Sequence, residues 1–230
     1  PWDMPPQVFD LSSLENRFAL DVAGMTAFCV AFSQDGTRIY TDCEKPQNPE
    51  RCFFVFDAAT GKCLHQLPHT DSGETDYACM RAKPDGSSIV CRKLSTKNGF
   101  ITRDTNTGEI VSESHVHDWG DRLEISGFIL MPCGTQAIVR SYSDALRVDL
   151  HSGKILTIYK GEDGEDSEEK VRAGAENNPG GHRDYISTLA IDTHGDLLVT
   201  GGWDGRICLW DVMSGKCLKT LHENNDWISS

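Results

Sequence analysis

Residues 181–211 read GHRDYISTLAIDTHGDLLVTGGWDGRICLWD, and the way this stretch divides decides the fold. Its apolar runs last only four to seven residues and are broken by glycine before a third helical turn could form, so a helix is excluded. Short strands are expected instead, near Ile186 to Ile191, Leu197 to Thr200, Arg206 to Trp210 and, just beyond, Lys216 to Leu221. The turns between them carry residues that suit a hairpin: Asp and Ser side chains bond nearby amides, and Gly accepts a positive φ.

Working outward, the same grammar recurs. A strand, then Asp-x-x-[Thr/Ser]-Gly-[Lys/Glu], then another strand appears as VFDAATGKCL at Asp57, TRDTNTGEIV at Asp104, VDLHSGKIL at Asp149 and LWDVMSGKCL at Asp211. A fifth copy, VFDLSSLENRFAL at Asp10, keeps the Asp and Ser but lacks the Gly. Upstream of each complete copy lies a second turn, SQDGT at Gly36, KPDGS at Gly86, MPCGT at Gly134 and DTHGD at Gly195. Two hairpins per period make four short antiparallel strands. From Asp10 the aspartates follow at spacings of 47, 47, 45 and 62 residues, near the ~40 to 45 residue period of a propeller blade except for the last. The excess falls in KGEDGEDSEEKVRAGAENNPGG, between Tyr159 and His182. Polar and without strand character, it reads as an insertion.

Residues 181–211 closely resemble a WD repeat, with its Gly-His, its inner-strand polar residue, its turn Asp and its terminal Trp-Asp. The resemblance implies an all-β fold, a β-propeller of four-stranded antiparallel blades, about five of them represented here as part of a seven-bladed ring. On that reading 8–230 is a partial propeller. A blade end occupies 8–21, blades about 25–67, 76–115, 123–159 and 181–221, the start of a next blade 226–230, and an acidic inter-blade loop 161–180. Further blades are expected outside this chain or in a partner chain, because an open propeller would expose strand edges. The resemblance also implies a buried hydrogen-bond tetrad of His182, Thr200, Asp204 and Trp210. The other units have Phe56, Arg103 and Val148 where the tryptophan would stand, so their tetrads are expected to be absent or altered.

Composition narrows the function. Hydrophobic residues make up 38% and charged residues 25%, as in a folded domain. The longest apolar runs, such as FCVAF and FILM, fall far short of the ~18 to 20 residues of a membrane-spanning helix, so membrane insertion is not expected. A net charge of −13 argues against a general nucleic-acid binder, which needs clustered Lys and Arg, and suits protein partners with basic surfaces or tails. Nine scattered cysteines with no CxxC pair imply neither a disulfide framework nor a zinc site and favour a reducing compartment, cytoplasmic or nuclear. No cofactor is called for.

Catalysis is not expected. His182, Thr200 and Asp204 resemble a hydrolase triad on paper, but such a triad is recognised by geometry, and the resemblance gives these residues a structural role. His115 and His117, with Asp118 nearby, lack ligands at metal spacing and read as a solvated loop. In WD-repeat proteins the usual binding surface is built by residues just before the first strand and beside the turn Asp. Carried over, it points to Arg183, Tyr185, Trp203 and Trp227, of types enriched at interface hot spots. The acidic loop, with Glu162, Asp163, Glu165, Asp166, Glu168 and Glu169, reads as a solvated insertion or as a dock for a basic partner. The expected function is a non-catalytic scaffold or adaptor of an intracellular multiprotein complex. The alternative is a reader of peptides or modifications within an enzyme complex such as a ubiquitin ligase or a chromatin complex.

Overall fold

The computed structural model describes residues 4–45, 51–68, 79–93, 98–117, 124–161, 180–222 and 227–228. Among them there are strands and turns and no helix. Two compact units divide the chain, 1–114 and 115–230.

The first unit opens with a two-stranded sheet, β1 (Gln7–Phe9) and β2 (Asn16–Ala19). Two four-stranded antiparallel sheets follow. One holds β3 (Thr26–Phe32), β4 (Arg38–Glu44), β5 (Arg51–Asp57) and β6 (Cys63–Pro68); the other holds β7 (Met80–Ala82), β8 (Ser88–Lys93), β9 (Gly99–Asp104) and β10 (Ile110–His115). Each sheet is a meander in which sequence neighbours pair.

The run Cys52 to Phe56 is apolar throughout because β5 is covered on both sides. Cys52, Phe54 and Phe56 pack with Leu20, Val22, Ile39 and Cys43. The alternate residues Phe53 and Val55 pack with Tyr40, Met80, Ile89 and Ile101. The outer strand β6 is mostly exposed, and its Leu-His-Gln sequence shows the mixture a solvated edge tolerates.

The second unit holds two further four-stranded sheets of the same topology. One comprises β11 (Gly127–Leu130), β12 (Gln136–Ser141), β13 (Asp144–Asp149) and β14 (Ile155–Tyr159). The other comprises β15 (Ile186–Ile191), β16 (Leu197–Gly202), β17 (Arg206–Asp211) and β18 (Cys217–His222). Ile138, Ala145, Tyr159, Ile186, Leu198, Cys208 and Trp210 form the core they share. The strand expected to stop at Thr200 continues to Gly202. Its two glycines lack side chains because there is no room: a Cβ on Gly202 would stand 2.6 Å from His182 Nδ1 and 2.7 Å from Asp204 Oδ1.

The repeated Asp-x-x-[Thr/Ser]-Gly turn has one geometry throughout. Asp211 Oδ1 accepts hydrogen bonds from the Ser214 amide at 2.8 Å and its hydroxyl at 2.5 Å, and the Gly215 amide donates to the Asp211 carbonyl at 3.0 Å. Asp57 with Thr60 and Asp149 with Ser152 repeat it. At Asp10 the position of the missing glycine is filled by Leu14, whose amide donates to the Asp10 carbonyl at 2.8 Å from the left-handed region at φ +57°. Leu14 copies a conformation that Gly215 adopts at φ +71° without a side chain in the way.

Candidate partner-binding surface

His182, Thr200, Asp204 and Trp210 come together in one hydrogen-bonded chain. Trp210 is on β17 and Thr200 on β16; Asp204 lies in the turn between them, and His182 precedes β15. The Trp210 indole Nε1–H donates to Thr200 Oγ1 at 2.9 Å. Thr200 Oγ1 lies 2.7 Å from His182 Nε2, and His182 Nδ1 lies 3.0 Å from Asp204 Oδ1. A neutral imidazole protonated at Nδ1 satisfies every member: indole to hydroxyl, hydroxyl to Nε2, Nδ1–H to carboxylate. His182 and Thr200 are fully buried, with 0% exposure. Burial pushes the Asp204 carboxyl up, but the hydrogen bonds from His182 and the Arg183 and Arg206 amides outweigh it, so its pKa is lowered.

This hydrogen-bonded chain holds the Thr200 hydroxyl between an indole donor and an imidazole acceptor, out of solvent. What it does is tie three segments: the approach to β15, strand β16 with its turn, and β17. Arg206 adds a fourth tie, donating from its guanidinium to the Gly181 carbonyl at 2.8 Å. At the tryptophan's position in the other sheets, Phe56 and Val148 are buried without polar atoms. Arg103 there donates to the Gly108 carbonyl at 2.7 Å and lies 4.8 Å from the centroid of the Phe53 ring.

Next to these residues in sequence the chain exposes aromatic rings. Tyr185 precedes β15, Trp203 neighbours Asp204 in the β16–β17 turn, and Trp227 follows β18. The structure adds a residue that the sequence reading passed over, Tyr142 in the β12–β13 turn. The four form a single file, with centroids 5.2 Å apart from Tyr142 to Tyr185, 5.1 Å from Tyr185 to Trp203 and 5.4 Å from Trp203 to Trp227. All are exposed, Trp227 to 73% and the others to between 43% and 45%. Backbone bonds hold the file: the Ile186 amide donates to the Tyr142 carbonyl at 2.8 Å, that of Trp203 to Tyr185 at 2.9 Å, and that of Ile228 to Gly202 at 3.2 Å. Tyr142 sits at φ +54°, a strained conformation for an aromatic residue. A signal for Tyr142 was present, since aligning the turns after Gly134 and Gly195 puts it opposite Trp203.

Arg183 is exposed beside Tyr185. The acidic residues Glu162, Asp163, Glu165, Asp166, Glu168 and Glu169 lie outside the described residues, as does Asp118. Among the described residues no group of three or more His, Cys, Asp or Glu side chains is placed to hold a metal ion, and no helix is long and apolar enough to cross a membrane.

Four-stranded antiparallel meanders repeated along the chain, each with the same Asp-capped turn, define a protein of propeller-blade repeats. The model of the WD domain, G-beta repeat family matches residues 177–211, the stretch that holds the tetrad. Among its relatives, pre-rRNA-processing protein pro-1 of Caenorhabditis elegans is 46% identical over 54 residues, which is 21% of this chain and 10% of that protein. Small ribosomal subunit protein RACK1 of Drosophila melanogaster is 43% identical over 54 residues, 24% of this chain and 17% of that protein. WD repeat-containing protein 18 of Bos taurus is 42% identical over 41 residues, 18% and 10% respectively. The matching segments thus span less than a fifth of those relatives.

Proposed function

We propose that this protein is a non-catalytic scaffold or adaptor in an intracellular multiprotein assembly, and that partners dock on the surface carrying Arg183, Tyr185, Trp203 and Trp227. The observation that carries this reading is the file of exposed rings. Aromatic side chains of this size bury large areas when covered, and Trp, Tyr and Arg dominate interface hot spots. The buried tetrad supports the non-catalytic part, because its triad-like residues His182, Thr200 and Asp204 are spent on holding segments together. Two relatives are named for ribosomal and pre-rRNA-processing roles, which fits a cytoplasmic or nuclear assembly. The net charge of −13 disfavours direct phosphate binding and favours protein partners with basic surfaces or tails. The division into blades and the role of the 161–180 insertion belong to the same proposal.

Native mass spectrometry of the intact protein, purified gently from its own cells, tests it. Stoichiometric protein partners are expected with the wild type and should be lost from a Trp203→Ala/Trp227→Ala double variant. A partner-free monomer in both preparations would overturn the scaffold reading.

A further inference from the structure

Among the described residues, the buried tyrosines and tryptophan spend their polar atoms within the fold: Tyr40 donates to the Thr105 carbonyl at 3.0 Å, Tyr159 to the Val212 carbonyl at 2.8 Å, and Trp210 to Thr200. Among the described residues, by contrast, the hydroxyls of Tyr142 and Tyr185 and the indole N–H groups of Trp203 and Trp227 have no protein partner. The surface therefore offers a row of apolar rings together with up to four donors. Its complement is a ligand with apolar rings or stems, many acceptors and few donors.

From this we infer that the file from Tyr142 to Trp227 binds a proline-rich segment in the polyproline II conformation. Proline has no N–H, and a polyproline II chain makes no internal hydrogen bonds, so its carbonyls are all available to donors. Its three-fold turn repeats roughly every 9 Å, and neighbouring rings of the file stand 5.1 to 5.4 Å apart. Aromatic-lined grooves take such segments because little entropy is lost in fixing them. Single-stranded nucleic acid also stacks on aromatic files, but a chain of net charge −13 opposes its phosphates. The same charge favours basic residues flanking the prolines. The inference rests on the docking surface proposed above and names the chemistry of what docks there.

The probe is a decaproline peptide with one terminal arginine, titrated into the intact protein by calorimetry and by tryptophan fluorescence. Its controls are the same peptide with serine for every proline and an oligothymidylate of equal length. The proline peptide is expected to bind, and Trp203→Ala to weaken it at least about tenfold, the loss typical of a central aromatic anchor. Tyr185→Phe, which keeps the ring and removes the hydroxyl, should weaken it roughly threefold if a carbonyl is the acceptor. Tyr142→Gly relieves backbone strain, so it should melt no lower than the wild type and yet bind less tightly. Equal binding of the serine control, tighter binding of the oligonucleotide, or undiminished binding by Trp203→Ala would each overturn the inference. Failure of the proline peptide, with native partners still lost from the Trp203→Ala/Trp227→Ala variant, would discard the polyproline assignment and leave the docking surface standing. Partners retained by that variant would discard both.

Discussion

Trp210 shows what one side chain contributes twice over. Its ring fills the core, edge-on to Tyr159 with centroids 5.9 Å apart, and its N–H closes the chain through Thr200, His182 and Asp204. Replacing it with Phe keeps most of the packing and removes the donor, so Trp210→Phe is expected to destabilise by about 1–2 kcal/mol, against about 3–5 kcal/mol for Trp210→Ala. Denaturant titration of both variants separates the two contributions; a Trp210→Phe variant as stable as the wild type would mean that the hydrogen bond contributes nothing. Leu14 offers the opposite sign. Its side chain is 76% exposed while its backbone is held at φ +57°, so Leu14→Gly gives up little burial and relieves the left-handed strain. The balance against glycine's greater freedom in the unfolded chain is a gain of about 0.5 kcal/mol, to be read as a higher melting temperature.

Among the elements, the Asp-capped turns were the most legible, because Asp, Ser or Thr and Gly at fixed offsets carry a mechanism that needs no tertiary context. The continuous run of β5 was harder to interpret. Its coverage on both faces depends on sheets far along the chain, and periodicity alone cannot distinguish a strand buried on both faces from a helix fragment. Tyr142 was missed for a related reason: its neighbour Ser143 stands where Asp204 does, so the turn lacks the Asp that marks its counterpart and only its distance from Gly134 shows the equivalence. The turns also predict a pH response. Side-chain and backbone hydrogen bonds from the turn residues lower the carboxyls of Asp10, Asp57 and Asp211, backbone and then side-chain bonds lower Asp85, Asp104 and Asp149, and Asp35 is held at about 2. Lowered folded-state values stabilise above the ordinary carboxylate pKa near ~4, and that stability is lost as pH falls through the lowered values. Melting temperatures should therefore hold steady above pH ~5 and fall progressively between about pH 4 and 2. A flat profile over that window would contradict the role given to these turns.

Across the whole molecule, charge is the property read most directly from the sequence and least from the fold. The segment 161–180 carries seven acidic residues against Lys170 and Arg172, so it holds a large share of the net −13. If it steers a basic partner, deleting it should slow association and flatten its salt dependence, while the complex, once formed, dissociates at nearly the wild-type rate. Stopped-flow association at two ionic strengths checks this; unchanged salt dependence would assign the segment no part in recognition. Function beyond the repeat was not legible in the residues, since the family match is concentrated in one repeat and the same fold serves many functions.

The Asp204 carboxylate, which accepts from His182 on one side and from the Arg183 amide on the other, has a consequence beyond stability. Tyr185 and Trp203 are each within two residues of that junction, so the buried network fixes the spacing of the exposed rings before any partner arrives. A ligand meeting that surface finds it pre-organised and gives up little conformational entropy in binding. Asp204→Asn, a change that no partner would touch, is then expected to reach the surface as looser rings and a faster dissociation rate.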